Sequence, residues 1–245
     1  MIPPTVTGPP PRRLSLVEQT CAQLASHIHS EIANRSSGEA VAPWLPSERE
    51  LASRFGVSRP VIREATKRLE LQGLLEIQHG RGIKVIRQLH RPLSESLRFD
   101  IPDDFERLRQ LNETRRILEP ESARLAALNA DPPSIEALEV CHRELTECKD
   151  LAEAARMDAR FHELIARAAG NDIVALILSS LGDLGEASRL RTMSQSGLGT
   201  AISHHRAILD AIRAGNAPEA ARLMASHVEE AAHDLEASEK ALATP

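Results

Sequence analysis

Between Leu14 and Ala33 apolar residues recur at helical spacing, with Leu16, Leu24, Ile28 and Ile32 as the inward positions. The stretch RSSGEAVAPW, residues 35–44, ends that pattern with Ser, Gly and Pro. Ser47 and Glu50 then stand at the spacing of a capping box, which starts a short helix running through Arg54. Gly56 supplies a turn, and Ser58 can cap the helix that follows. Pro60 is tolerated in it because first-turn amides have no helical acceptor to lose. This helix ends near Gly73. LLEIQHGRGIKVIR, residues 74–87, then places two short β-prone runs around His79-Gly80-Arg81-Gly82, the pattern of a hairpin.

QLHRPLSESLRFDIPDD, ending at Asp104, reads as a linker. Beyond it nearly everything has helical periodicity. Helices are expected over Phe105–Asn129, ending at ADPPS, and over Ser134–Ala169, ending at Gly170-Asn171. Shorter segments run to about Leu190, TMSQSGLGT (residues 192–200) reads as a loop, and helices follow over 201–214 and 217–242. Aromatic residues are 2% of the chain, so its cores must rest on Leu, Ile, Val and Ala, which favours helix packed on helix. The expected fold is mainly α: an N-terminal winged helix-turn-helix with a small β-hairpin wing, then an all-α helical bundle. The organisation that follows is a tail over 1–13, a first domain over 14–88, a linker over 89–104 and a second domain over 105–242.

Charge separates the two halves. Residues 1–90 hold 12 Lys and Arg against 8 Asp and Glu, a net of +4, whereas the remainder holds 18 against 27, a net of −9. Such asymmetry points to a polyanion for the front alone. A winged helix-turn-helix presents the start of its second helix to the major groove of duplex DNA, and here that start carries Ser58, Arg59, Pro60 and Arg63, with Lys67 a turn later. Arginine's planar fork can pair with guanine or neutralise phosphate. Arg49, one helix earlier, is placed for a backbone contact, and the glycines beside His79 and Arg81 let the hairpin tip approach DNA closely. The bland alternative is a solvated helix face, with Glu48, Glu50, Glu64 and Glu70 interleaved among the cations.

Three cysteines, Cys21, Cys141 and Cys148, form no CxxC pair and are odd in number, which fits a reducing cytoplasm better than a disulfide framework. No apolar run approaches 18 residues, so no membrane span is expected, and the proline-rich start lacks the apolar core of a signal peptide. In the second domain, Asp158 and His162 stand at i and i+4 on one helix. Later helices carry His227 and either His204 or His205, since the apolar positions of AISHHRAILDAI leave both open. Three imidazoles and a carboxylate could converge on a divalent ion and leave coordination sites open. A surface Asp–His hydrogen bond is the plainer reading of the same spacing, and Asn171 after Gly170 reads as a helix cap.

LPSERELASRFGVSRPVIREATKRLELQGLLEIQHGRGIKV closely resembles the DNA-binding domain of the GntR superfamily of bacterial transcription factors. The resemblance implies DNA-contacting roles for Arg49, Ser58, Arg59, Arg63, His79 and Gly80; Pro60 departs from the threonine often found at its position. ETRRILEPESARLAA, DARFHELIARAAGN, HRAILDAIRAGN and MASHVEEA resemble successive signatures of the FCD effector domain of the FadR-type branch. That family's metal set of one Asp and three His falls on Asp158, His162, His205 and His227, selecting His205 over His204. With all four present, a fatty acyl effector is disfavoured. Arg115, in ETRRILE, matches the arginine facing the effector pocket, although a plain ion pair with Glu113 or Glu119 is its ordinary alternative.

Together these readings imply a cytoplasmic, homodimeric, ligand-responsive repressor of operator DNA. Its second domain would hold a divalent metal (zinc, nickel or manganese) and a small carboxylate such as a hydroxy acid or sugar acid. Two rivals stand beside it. One is a metal-dependent hydrolase joined to a DNA-binding module, for which no general base is evident: Glu163 adjoins His162 but projects about 100° away around the helix. The other keeps the regulator and makes the metal purely structural.

Overall fold

The structure, a computed structural model, describes residues 14–33, 44–86, 88–101 and 105–243. The expected tail and most of the break at residues 35–44 lie outside these. Two compact units emerge, residues 1–92 and 93–245.

In the first unit, α1 (Leu16–Ala33) buries Leu24 and Ile28 while Leu16 stays exposed. Helix α2 (Glu48–Phe55) has the expected capping box: Glu50 N donates to Ser47 Oγ at 3.3 Å and Ser47 N to Glu50 Oε2 at 2.9 Å. Gly56 closes α2 in the left-handed region, φ +64°, a conformation that costs a residue with a Cβ about 1 kcal/mol. Helix α3 (Arg59–Leu71) starts at Ser58, whose side chain makes no capping hydrogen bond, so its backbone alone marks the start. Ile62, Ala65, Thr66 and Leu69 face inward. They pack with Leu24, Ile28, Leu51 and residues of the hairpin in one apolar core.

Strands β1 (Leu75–Gln78) and β2 (Gly82–Val85) pair antiparallel, Leu75 opposite Val85 and Gln78 opposite Gly82. Trp44 adds a single bridge to Lys84 outside the hairpin. Gly73, buried at φ +74°, would bring a Cβ within 2.1 Å of Gln88 O, because the chain leaving the wing passes directly over it.

The second unit is helical. Residues 91–100 of the segment read as a linker form α4 (Arg91–Asp100), held by its side chains to the end of a later helix. Helix α5 (Phe105–Asn129) agrees with expectation end for end. The single helix expected over Ser134–Ala169 is instead two, α6 (Pro132–Glu147) and α7 (Leu151–Ala168). Neither Gly nor Pro marks that break. Asp150 makes it, accepting from Glu153 N at 2.9 Å, and folding back buries Leu145, Ala154 and Ala155 in one cluster with Met193. Asn171 caps α8 (Asp172–Leu184) by accepting from Ile173 N and Val174 N. The loop expected over 192–200 reduces to Gly197 at φ +82°, between α9 (Glu186–Ser196) and α10 (Leu198–Arg213), because Ser, Thr and Gln are compatible with helix. Helix α11 (Ala217–Ala243) completes the chain and lies along α5 and α10. Phe161, Ile165, Ile208, Leu209 and Met224 form the centre of the bundle core.

Candidate nucleic-acid interface and metal centre

With its apolar side turned inward, α3 leaves Arg59, Arg63 and Lys67, four residues apart, exposed. Ser58 and Pro60 are exposed beside them, and so is Arg49 on α2. Arg63 is not a free cation: its Nε and Nη2 reach Glu48 Oε1 and Oε2 at 3.2 and 2.9 Å. That pair raises the guanidinium pKa and lowers that of Glu48. His79 and Gly80 form the hairpin tip. Gly80 has φ +76°, and Arg81 N donates to Gln78 O at 3.0 Å, so Gly80 is the third residue of a β-turn that needs positive φ there.

In the second unit, α7, α10 and α11 bring Asp158, His162, His205 and His227 together. All four are buried, and one ligand atom from each lies within 4.8 Å of the others. His162 Nε2 is 3.2 Å from His227 Nε2 and 3.8 Å from Asp158 Oδ2, while His205 Nε2 is 3.2 Å from Asp158 Oδ1. His205, wholly buried, stacks on Phe161 at 4.2 Å between centroids. Its ring nitrogens find no aligned hydrogen-bonding partner despite the closeness of Asp158. Unsatisfied buried imidazole nitrogens cost free energy unless something else engages them. His204, by contrast, lies outside the cluster and meets Glu230 at 3.3 Å.

Electrostatics favour a donor set ready for a cation. Burial, aided by the other histidines, pushes His205 down and His227 well below the usual imidazole range, so both are neutral at neutral pH. Burial alone would raise Asp158, but His205, His162 and Arg189 outweigh it and hold the carboxyl well below its ordinary value. One carboxylate and three imidazoles at these separations fit a divalent ion with oxygen- and nitrogen-tolerant coordination.

Two neighbouring residues complete the charge balance. Glu119, on α5, accepts from Arg115 Nε at 2.7 Å and lies 2.8 Å from His162 Nδ1. Burial opposes its ionisation, yet Arg115 and His162 lower its pKa strongly. A carboxylate against the outer nitrogen of a ligand imidazole is the usual way to orient that ring. Arg189, on α9, donates from Nε to Asp158 Oδ2 at 2.7 Å. Burial and the nearby Arg115 lower the Arg189 pKa, while Glu119 raises that of Arg115 against its own burial. Of the two surface partners considered for Arg115, Glu119 is the one it meets, and the pair is buried rather than exposed. Glu113 bonds Arg109 instead. Glu163 pairs with Arg167 at 2.6 Å, away from the cluster.

A narrow cleft with a free volume of about 30 Å³ opens onto the cluster, lined by Arg115, Asp158, Arg189 and His227 and, toward solvent, by His204 and Glu230. Sequence reasoning missed Arg189 altogether, and it named Glu119 only as an alternative surface partner. The i, i+4 spacing from Arg115 could have flagged Glu119. Nothing local distinguishes Arg189, which reaches Asp158 across 31 residues.

Residues 110–230 match the family described as FCD domain, and residues 37–85 match that described as bacterial regulatory proteins, gntR family. The Uxu operon regulator of Haemophilus influenzae is 34% identical over 230 residues, covering 88% of this chain and 81% of its own. A protein of Escherichia coli named for regulation of the L-lactate dehydrogenase operon is 30% identical over 228 residues, covering 89% and 84%. Among solved structures, Streptococcus agalactiae GntR superposes with a TM-score of 0.67 at 27% identity, covering 89% of this chain and all of that one.

Proposed function

Because this chain belongs to the gntR family of bacterial regulatory proteins and carries an FCD domain, it is a DNA-binding transcriptional regulator and not an enzyme, and we propose that it is a repressor released from its operator by a small carboxylate. Among the described residues, no helix is long and apolar enough to cross a membrane. In this reading Arg49, Ser58, Arg59, Arg63, His79 and Gly80 contact duplex DNA, and two copies set their α3 helices on the half-sites of a near-palindromic operator. Arg63 must exchange Glu48 for phosphate or a base edge when it does so.

The observation that carries the effector reading is the convergence of Asp158, His162, His205 and His227 beside Arg115 and Arg189 in one cleft. Those four residues would hold a divalent ion, zinc, nickel or manganese, which supplies an electrophilic centre for anionic oxygen. Without it the buried charges of Arg115 and Arg189 are balanced by Glu119 and Asp158. An added divalent charge leaves the site positive by two, and a bound carboxylate offsets half of that excess. Arg115 and Arg189 present planar forks suited to a carboxylate. A 2-hydroxy acid of the L-lactate type, or a sugar acid, brings both a carboxylate and a neighbouring hydroxyl. The L-lactate operon named for one relative is consistent with that class.

Zinc-loaded and chelator-stripped full-length protein, each titrated with L-lactate and with a six-carbon sugar acid in thermal-shift and calorimetric measurements, tests the reading. An acid that binds only the zinc-loaded form supports it. Failure of every acid to bind removes the effector assignment. Loss of folding on stripping, with no ligand response in either form, assigns the metal a structural role instead.

A further inference from the structure

Arg189 has a second contact that its bond to Asp158 does not require. Its Nη1 donates to Gly182 O at 3.3 Å, in the last turn of α8. The same turn is gripped from its other side by α4. Ser94 Oγ lies 2.8 Å from Asp183 Oδ2 and 3.2 Å from Ser180 O, and Arg98 Nη2 donates to Asp183 O at 2.5 Å. The last carbonyls of a helix lack their regular helical donors; Gly182 O accepts from Gly185 N at 3.2 Å and has a second lone pair left for an outside donor. Here they serve two at once: a guanidinium bonded to a candidate metal ligand, and the helix that begins six residues after the wing's second strand ends.

We propose that Arg189 and the last turn of α8 link occupancy of the Asp158 cluster to the seating of α4. The proposal rests on the metal reading above. Arg189 divides one rigid fork between a carboxylate and a carbonyl. A cation on Asp158 competes with the guanidinium for that carboxylate and turns the fork toward Gly182 O, which firms the turn that holds Ser94 and Arg98. An anion in the cleft draws the fork the other way, since Arg189 also lines it, and loosens the same turn. The site is shaped for this side chain. A Cβ at Gly185 would lie 2.3 Å from Arg189 Nη1 and 3.3 Å from Leu111 Cδ2, whereas the backbone there, at φ −86°, would accept alanine. Glycine at 185 therefore makes room for the guanidinium rather than relieving strain. Arg189 is a positioning residue, acting through Asp158 on one side and Gly182 on the other.

Hydrogen–deuterium exchange on the full-length protein, with and without Zn²⁺, tests this without an operator or an effector. Zinc should slow exchange of the α4 amides by about threefold or more in the wild type. Ser94→Ala combined with Arg98→Ala, neither residue near the cluster, should bind zinc as the wild type does and lose the α4 response. Arg98→Lys should recover part of it. Gly185→Ala, which displaces the fork while keeping every charge, should abolish the response as well. If the double variant does not fold, each single substitution carries the same expectation in reduced form. Zinc binding with no change at α4 in the wild type, or an undiminished change in the variants, overturns the link and leaves the metal reading intact. Absence of zinc binding sinks the metal reading first and this link with it.

Discussion

Replacing Glu119 by glutamine tests the buried electrostatics most directly. The side chain keeps its shape and loses its charge, while Arg115 and His162 stay in place. In the native site Glu119 is 3% exposed, takes Arg115 Nε and Nη2 at 2.7 and 3.4 Å, and sits 2.8 Å from His162 Nδ1. With the carboxylate gone, Arg115 keeps a neutral acceptor, Asn112 Oδ1 at 3.4 Å, and the more distant charge of Asp158. Breaking a buried pair by neutralising one partner costs about 3–5 kcal/mol, a large share of the 5–15 kcal/mol typical of a whole domain. Loss of the group that orients His162 should also weaken zinc binding by about 10- to 100-fold.

Urea unfolding of zinc-free protein separates the first effect from the second. Trp44, the only tryptophan, belongs to the first unit, so its fluorescence follows that unit while far-UV circular dichroism is dominated by the helical second one. The circular-dichroism midpoint should fall and the Trp44 midpoint should not. The pH dependence has a definite sign. The folded-state pKa of Glu119 is depressed, so its contribution is complete above the unfolded value of 4.5 and is lost as pH falls toward the folded one. The gap between wild type and Glu119→Gln should therefore be constant above about pH 5.5 and narrow below it. A loss under about 1 kcal/mol at pH 7, with zinc affinity unchanged, refutes the reasoning.

Other expectations follow from the same geometry. Arg59→Ala with Arg63→Ala should weaken operator binding and reduce the slope of log affinity against log salt by about 2, read by fluorescence anisotropy across salt concentrations. Glu48→Gln, which releases Arg63 from its ion pair, should raise non-specific DNA affinity in the same assay. Zinc at 100 times its dissociation constant should stabilise the wild type by about 2.7 kcal/mol, and His227→Ala should remove most of that gain in a thermal melt. Gly73→Ala should cost well over the roughly 1 kcal/mol of an ordinary positive-φ glycine, because its Cβ would meet the backbone oxygen of Gln88 at 2.1 Å; the Trp44 transition reports it.

The first unit was almost wholly legible in the sequence, because its determinants are local. Ser47 and Glu50 stand three residues apart, Gly56 and Gly80 occupy turns that need positive φ, and the inward positions of α3 follow its period. The helices of the second unit were legible for the same reason, except for α4, read as a linker, the stretch over 192–200, read as a loop, and the break between α6 and α7, which neither Gly nor Pro marks. Helix α6 ends at Cys148 and Asp150 caps the start of α7, a break favoured because the two helices then pack against each other. From spacing alone the cluster was half legible: the i, i+4 interval pairs Asp158 with His162, whereas His205 and His227 joined them only through resemblance to the family signatures. Family resemblance had already chosen His205 over His204, but only tertiary structure decided that Arg115 and Glu119 are a buried pair and that Arg189 joins Asp158 to the end of α8. Periodicity along a chain records which face of an element is apolar. Which polar residues meet inside depends on how separate helices cross, and the order of residues along one helix does not encode that.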